Sequence, residues 1–371
     1  MIQEPHWGEP LWTIDFHPQK HEVPEKADFV VVGGGFSGLS AAAWLSRMAP
    51  TKKIVLLEGQ TIGSGASGRT GGMALAETAA GDLPGLGDVL GGYAETIAEF
   101  GIDCDFQLTG AWEIGRSGRK NHSPISWSDS GTLRVVNEVP GGTIDPGKMV
   151  SGLARAAQEA GVVICEHSPA HEVSGRDVLS VKTRSAELRA DSVLLATNAE
   201  SLRLTELNRV VEPKLTMALA TEPLQESQIE ALGLSSGKPF YTVDFPYLWG
   251  RKARSNALVF GAGLVDSKDG DELGDIDVAR GVAAERLDWL EKRVHELHPA
   301  LRDAKITHRW GGPILFTDGM KPLFRRRRQS ERVILLAGYN GHGVALSVYL
   351  GKWAAEAMLG RRNLPEWGAL S

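Results

Sequence analysis

The chain has 371 residues, 42% of them hydrophobic, which is enough to bury the cores of about two domains. Its net charge is −6, whereas nucleic-acid-binding proteins usually have an excess of basic residues. No segment has the ~18 consecutive apolar residues of a membrane span. Two cysteines, Cys104 and Cys165, are too few for a disulfide framework or a metal cluster. We therefore expect no nucleic-acid partner, no membrane span, no metal, buried thiols and a cytoplasmic location.

The first predicted unit is a strand, a glycine turn, a helix and a second strand. Phe29–Val32 is an apolar run typical of a strand buried on both faces, and Gly33, Gly35 and Gly38 then form the pattern G-x-G-x-x-G. The first glycine permits a tight turn, the second lets a pyrophosphate approach the backbone, and the third lets the helix pack on the strand. The second strand ends at Glu58, which is placed to accept a hydrogen bond from a ribose hydroxyl. Although the glycines alone could be an ordinary turn, the whole unit predicts a dinucleotide site at the helix N-terminus.

The acidic residue and the loop after it indicate which dinucleotide is bound. A carboxylate at this position favours FAD or NAD, because it would repel the 2′-phosphate of NADP. The loop "TIGSGASGRTGGMAL" covers residues 61–75 and is rich in glycine and serine. It is either a flexible linker or a backbone-rich loop that lets a flat ring system approach closely.

Two further elements are predicted in the second half of the chain. An amphipathic helix near residues 277–301 has its apolar side at Val282, Leu287, Leu290, Val294 and Leu297, and we interpret it as structural. The basic run 325–328 is interpreted as a solvated loop between strands.

A second glycine turn lies near the C-terminus. Residues 332–338 predict a buried strand, and a helix follows from near Gly343. The sequence "YNGHG" separates the two, so the chain repeats the strand, glycine turn and helix arrangement of its first unit.

Three stretches, "VVVGGGFSGLSAA", "LLEGQTIGSGASGRTGGM" and "GYNGHGVALS", together resemble the D-amino-acid-oxidase-like FAD oxidoreductases. This superfamily includes glycine, sarcosine and γ-glutamylputrescine oxidases. The loop, the C-terminal turn and the aromatic "LWTIDF" near the N-terminus are most similar to the γ-glutamylputrescine oxidase group.

The resemblance implies an α/β fold in which an FAD-binding Rossmann-like domain carries an inserted α+β substrate domain built on an antiparallel sheet. It predicts an N-terminal leader over residues 1–26 and a discontinuous FAD-binding domain over 27–78, 144–212 and 306–371. The substrate domain is predicted over 79–143 and 213–305. Residues 74–140 are fewer than in the family counterpart, so we expect a different pocket shape.

The resemblance also implies the FAD contacts. Val173 is expected against the adenine, and the helix from Gly343 is expected to point its N-terminus at the pyrimidine end of the flavin, where its dipole would stabilise negative charge on the reduced ring. The residues predicted to bind FAD are Gly33, Gly35, Phe36, Ser37, Gly38, Glu58, Gly59, Gly65, Ala66, Ser67, Gly68, Arg69, Gly71, Gly72, Met73, Val173, Trp310, Tyr339, Asn340, Gly341, His342, Gly343 and Val344.

Substrate preference is read from one departure from the family pattern. Glycine and D-amino-acid oxidases carry an arginine shortly after the W-x-G element, where it binds the substrate carboxylate, but the matching residue here is Ile314. An apolar residue favours an amine whose reacting carbon is not next to a carboxylate. Tyr247, Trp249 and Arg251 resemble a strand that faces the pocket. They would provide either an aromatic wall and an arginine for a distal acid, or only core packing and a surface charge.

The predicted reaction is oxidation of an amine C–N bond, with electrons passing to oxygen or another acceptor and the imine then hydrolysing. His342 and Arg69 are candidates near the flavin, but neither is assigned as a catalytic base, and no catalytic residue or oligomeric state is predicted. One alternative is a D-amino-acid or proline-type dehydrogenase that passes electrons to a quinone or a carrier protein. Another is a flavin-binding protein without turnover.

Overall fold

The structure is a computed structural model that describes residues 6–116, 123–208, 210–266 and 273–368. Elements are numbered in chain order. The helices are α1 (Phe36–Met48), α2 (Val89–Glu99), α3 (Pro146–Glu159), α4 (Leu202–Thr205), α5 (Glu226–Ala231), α6 (Gly281–Leu297) and α7 (Gly343–Met358).

The first sheet contains the predicted buried strands. Its strands are β1 (Lys26–Val32), β2 (Ile54–Leu57), β8 (Val163–Cys165), β9 (Ala170–Ser174), β10 (Leu179–Thr183), β11 (Glu187–Leu195), β17 (Leu323–Arg327) and β18 (Ser330–Ala337). The order is β17-β18-β11-β1-β2-β8, with β10 and β9 added beside β11. The strands β18, β11, β1, β2 and β8 are parallel, so their carboxyl ends meet at one edge of the sheet. Ligands of open α/β sheets bind at this edge.

Helices α1 and α7 pack closely against each other beside this sheet. Ser40 Oγ donates a hydrogen bond to Val348 O at 2.8 Å, and a side chain at Gly351 would place its Cβ 2.6 Å from Ser37 O. Because Gly351 has no side chain, the two helices that follow the two glycine turns form one compact layer.

The second sheet is largely antiparallel. Its strands are β4 (Ala111–Gly115), β5 (Trp127–Ser128), β6 (Thr132–Val139), β12 (Val211–Thr221), β13 (Phe240–Thr242), β14 (Trp249–Lys252), β15 (Leu258–Asp266) and β16 (Ile306–Thr317). They follow the order β16-β12-β15-β14-β13-β4-β6-β5, and β13 and β4 are the parallel pair. A small two-stranded sheet pairs β3 (Met73–Leu75) with β7 (Gly141–Thr143).

Strand β16 pairs with β12 along its length, from Ile306 opposite Thr221 to Thr317 opposite Val211. It therefore belongs to the second sheet, although the predicted boundaries assign residues from 306 onward to the FAD-binding domain. The domain boundaries themselves stay a prediction.

Two predictions about the second half of the chain are wrong in detail. Leu287, Leu290, Val294 and Leu297 of α6 are buried as predicted, but Val282 is 56% exposed, because it lies in the first turn of the helix, where Ala283 is buried instead. The run 325–328 is not a loop, because its first three arginines belong to β17.

The cysteines are placed as predicted. Both are buried free thiols, and burial raises the pKa of Cys104 to about 12 and that of Cys165 to about 11. Neither thiol ionises near neutral pH.

Candidate active site

A cavity of about 990 Å³ opens at the carboxyl edge of the parallel sheet. The first residues beyond four of the parallel strands line this cavity. They are Gly33 after β1, Glu58 after β2, Thr197 after β11 and Tyr339 after β18. The predicted residues that line it are Gly33, Gly35, Phe36, Ser37, Glu58, Gly59, Gly65, Ala66, Ser67, Arg69, Gly71, Met73, Tyr247, Trp249, Trp310, Ile314, Tyr339, Asn340, Gly341, His342, Gly343 and Val344.

The first glycine turn brings bare backbone to the cavity. Gly33 has φ +113°, and a side chain there would place its Cβ 2.5 Å from Ala196 O. Phe36 N, at the start of α1, donates to Ser67 Oγ at 2.8 Å, so the turn is joined to the glycine-rich loop. Gly38 does not line the cavity. A Cβ there would lie 1.9 Å from Gly33 O, in agreement with the packing role predicted for it.

The carboxylate of Glu58 is held beside this turn. Its Oε2 accepts a hydrogen bond from Gly34 N at 2.7 Å and its Oε1 accepts one from Gln60 N at 2.8 Å. Burial raises the pKa of Glu58, and the backbone donors oppose that shift. Since each carboxylate oxygen has more than one lone-pair site, both oxygens keep acceptor capacity toward the cavity.

The residues after β11 were not found from the sequence. The hydroxyl Thr197 Oγ1 is buried in the cavity wall, and no described residue forms a hydrogen bond with it. Glu200 also lines the cavity, and desolvation together with the charge of Glu58 raises the pKa of Glu200 to about 7. Their position just beyond a parallel strand is the signal that could have identified them.

Val173 lies elsewhere than predicted. It is buried on β9 opposite Val181 of β10 and belongs to an apolar cluster rather than to the cavity wall. The cavity is lined instead by Pro169 and Ala170, at the start of the same strand. Ala170 and Val173 both belong to that apolar cluster, and of the two it is Ala170 that also lines the cavity.

Arg69 connects the glycine-rich loop to two other segments. Its Nε donates to Ser64 O at 3.1 Å, and its Nη1 donates to Gly8 O at 2.7 Å and to Gly311 O at 3.3 Å. The guanidinium lies 5.5 Å from the ring centre of Trp7, which also lines the cavity. The sequence predicted a leader here but not its contact with the site.

Gly68 and Gly72 lie behind the cavity wall. A Cβ at Gly68 would be 2.3 Å from Gly63 O, and one at Gly72 would be 2.5 Å from Ile144 O. Trp12 Nε1 donates to Gly68 O at 2.7 Å, so the leader also supports this part of the loop.

The second glycine turn lies between β18 and α7. Asn340 is buried, its Oδ1 accepts from Thr317 N at 2.8 Å, and its Nδ2 donates to Gly338 O at 2.8 Å. The helix begins at Gly343 as predicted, and His342 is its N-cap without a side-chain capping hydrogen bond. Burial lowers the pKa of His342, which keeps its ring neutral near pH 7. The free backbone donors of α7 therefore point toward the cavity without a capping side chain.

The predicted substrate residues divide into two sets. Ile314, Tyr247 and Trp249 line the cavity. Arg251 does not. It is 5% exposed, donates to Gly71 O and lies 5.4 Å from the ring centre of Trp12, and burial lowers its pKa to about 10. Arg251 therefore contacts the back of the glycine-rich loop instead of lining the cavity, which favours the core-packing alternative.

No described group of three or more His, Cys, Asp or Glu side chains is arranged to hold a metal ion. Within the described ranges, no helix combines the length and the apolar character needed to cross a bilayer.

The family model described as FAD dependent oxidoreductase, DAO, matches residues 28–357. The chain belongs to this family. It is an FAD-dependent oxidoreductase of the DAO family, and its fold is that of the flavoenzymes described next.

Individual relatives agree with this assignment. The chain is 28% identical to the probable oxidoreductase OrdL of Haemophilus influenzae, over 91% of this chain and 84% of the relative. It is 28% identical to the gamma-glutamylputrescine oxidoreductase of Escherichia coli, over 90% of this chain and 84% of the relative. Among solved structures, glycine oxidase from Geobacillus kaustophilus superposes with a TM-score of 0.73 at 19% identity, covering 92% of this chain and 96% of that chain.

The cavity of this DAO-family oxidoreductase fits FAD. Gly33 and Gly35 bring bare backbone to the cavity wall, Glu58 offers carboxylate oxygens, and the buried Thr197 hydroxyl lacks a partner among the described residues. The α7 N-terminus supplies donors at the other turn. The two turns of the sequence are therefore parts of one FAD site.

Proposed function

We propose that this oxidoreductase oxidises the C–N bond of an extended amine whose reacting carbon carries no carboxylate. When bound, FAD would accept a hydride from the carbon beside the nitrogen while the nitrogen releases its proton to water, and the resulting imine would be hydrolysed to a carbonyl compound and ammonia or a smaller amine. Oxygen or another acceptor would take the electrons. The gamma-glutamylputrescine oxidoreductase of Escherichia coli, whose name specifies an extended amine, supports this substrate class.

The observation that carries the proposal is the apolar side chain of Ile314 in the cavity wall. Ile314 lies opposite Lys214 of β12, whose Nζ is 2.9 Å from Asp266 Oδ1 and is therefore already paired. Arg69, which also lines the cavity, donates to Gly8 O and Gly311 O and is therefore occupied by backbone carbonyls. A carboxylate on the reacting carbon would thus lose its hydration at Ile314 without gaining a cation there.

The chain's other residues suit a neutral amine. Ile314 and Trp249 give apolar walls, which favour the uncharged form of an amine over its ammonium form. The α7 N-terminus is placed to stabilise negative charge that develops at this end of the cavity.

The test is anaerobic mixing of the FAD-loaded protein with two sets of compounds, followed by the bleaching of the flavin absorbance. Extended amines such as putrescine derivatives should bleach the flavin faster than glycine and D-alanine. Ile314→Arg should raise the relative rate with the amino acids, whereas Ile314→Leu should keep the wild-type preference. Faster reduction of wild type by the amino acids would refute the proposal and favour the amino-acid or proline dehydrogenase alternative.

A further inference from the structure

Several large apolar side chains that line the cavity remain open to solvent. Their exposed fractions run from 90% for Phe245 to 38% for Met320. We call this set the mouth residues; it consists of Phe245, Tyr247, Leu264, Trp289 and Met320.

Arg286 lies among the mouth residues. It is on α6, is exposed, and lines the same cavity. A Cβ at Gly263 would lie 3.8 Å from Arg286 Cδ and 3.9 Å from Trp289 Cζ3, so both side chains pass over the bare backbone of β15 at this glycine. The arginine and the indole therefore border the same part of the mouth.

Arg286 has no ion pair or hydrogen bond with any described residue. Two acids further along its helix are occupied by another arginine: Asp288 pairs with Arg309, and Glu291 Oε2 lies 3.5 Å from Arg309 Nη1. Its guanidinium donors are therefore available to a ligand.

Among the described charged residues that line the cavity, Arg286 is the cation that no other group occupies. Arg69 is bound by backbone carbonyls, and burial lowers the pKa of His342 and keeps its ring neutral. The acidic residues Glu58 and Glu200 border the part of the cavity next to the first glycine turn. An anionic group is therefore favoured at the mouth and not at the first turn.

The mouth is held in place by buried charges. Arg293 Nη2 is 2.6 Å from Asp129 Oδ2, and the same guanidinium donates to Tyr247 O at 2.7 Å and to Pro246 O at 2.8 Å. It also lies 5.1 Å from the ring centre of Trp289. One buried arginine thus fixes both the loop that carries Tyr247 and the ring beside Arg286.

We propose that Arg286 binds a carboxylate at the distal end of the extended amine while its nitrogen lies at the flavin. A guanidinium can pair with a carboxylate through two parallel hydrogen bonds, and the mouth aromatics would cover the alkyl or amide stem between the two ends. The inference rests on the proposed function and narrows its substrate class to amines that carry a distal acid.

The test compares two amines of equal length, one ending in a carboxylate and the other in a carboxamide. Arg286→Gln should raise KM about fivefold to tenfold for the carboxylate amine, with kcat unchanged, and should leave the carboxamide amine unaffected. Arg286→Lys, which keeps the charge but not the paired donors, should fall between. The control Arg280→Gln, on a residue outside the cavity wall, should behave as wild type.

Equal KM changes for both amines, or no change for either, would overturn the inference while leaving amine oxidation intact. Failure of every amine to bleach the flavin would refute the proposed function instead. For that case, calorimetric titration with glutaramate, which has a carboxylate and no amine, tests Arg286 without turnover. Wild type should bind it about fivefold to tenfold more tightly than Arg286→Gln, and equal affinities would reject the site.

Discussion

The side-chain hydroxyls of Ser37 and Tyr339 lie 2.5 Å apart and join the two glycine turns of the FAD site. Ser37 is on the first turn of α1, and Tyr339 follows β18, so this hydrogen bond spans almost the whole sequence. Both side chains are buried, and burial raises the pKa of Tyr339 well beyond its usual range, so the phenol stays protonated.

The first prediction concerns this hydrogen bond. Tyr339→Phe or Ser37→Ala should each lower the free energy of unfolding by ~1–3 kcal/mol, because each leaves one buried hydroxyl without its partner. The double variant should lose less than the sum of the two single changes. Urea unfolding of the four proteins measures this coupling. Strict additivity would show that the 2.5 Å contact contributes nothing specific.

The second prediction concerns the first glycine turn. A side chain at Gly35 would place its Cβ 2.8 Å from Ser67 Oγ, at the surface that must lie against the pyrophosphate. Gly35→Val should therefore purify without flavin colour and should not recover it with excess FAD. The control is Gly274→Val, since no atom lies within 4 Å of a Cβ at Gly274. A yellow Gly35→Val protein would contradict the assignment of the turn.

The third prediction concerns the second turn. Gly341 has φ +88°, so Gly341→Val should displace the backbone in front of α7. The flavin potential should fall by up to about 40 mV, because the helix N-terminus then stabilises negative charge on the ring less well. The control is Gly360→Val. Gly360 has φ +68°, so the substitution introduces a similar backbone strain, but it lies at the other end of α7, away from the cavity. Dye-linked potentiometry measures the flavin potential of each variant, and sulfite titration measures its affinity for sulfite. Equal potentials and equal sulfite affinities in the two variants would show that the second turn is only a structural support.

The fourth prediction concerns His342. Burial lowers its folded-state pKa below the ~6.5 of the unfolded chain, so the unfolded state binds more protons in this range. The contribution to stability is complete above about pH 6.5 and is lost as the pH falls toward the lowered pKa. His342→Asn should reduce the slope of unfolding free energy against pH below about pH 6.5, and urea unfolding at a series of pH values measures that slope. An unchanged slope in His342→Asn would mean that the ring accepts protons freely in the folded protein.

The sequence predicted the parts of the site that depend on local patterns. Gly33, Glu58 and Gly343 follow strands or start helices where the apolar runs and glycines indicate, because local backbone geometry decides those positions. The same reasoning did not show that Val173 lies outside the cavity wall, since a strand of five residues gives few signals for the surroundings of each side chain.

Residues brought together by long-range packing were not predictable in this way. Arg251 and Arg286 are both arginines near aromatic residues, yet the glycine-rich loop covers the first and the second reaches the cavity from α6. The contact of Trp7 and Gly8 with Arg69 likewise joins segments that share no local pattern. Which arginine faces the cavity depends on how helices and strands that are distant in the sequence pack together. A short stretch of sequence does not show this.

The parallel sheet of the FAD site takes β1 and β2 from the start of the chain and β18 from its far end. A ribosome releases the chain from the N-terminus, so the first glycine turn emerges long before β18 and α7 can complete the site. Cofactor loading must therefore follow nearly complete synthesis of the protein. Until then, the part of β11 that will pair with β18 is an unpaired strand edge. A chain that stops before Ser330 would keep this edge exposed, and exposed strand edges promote aggregation.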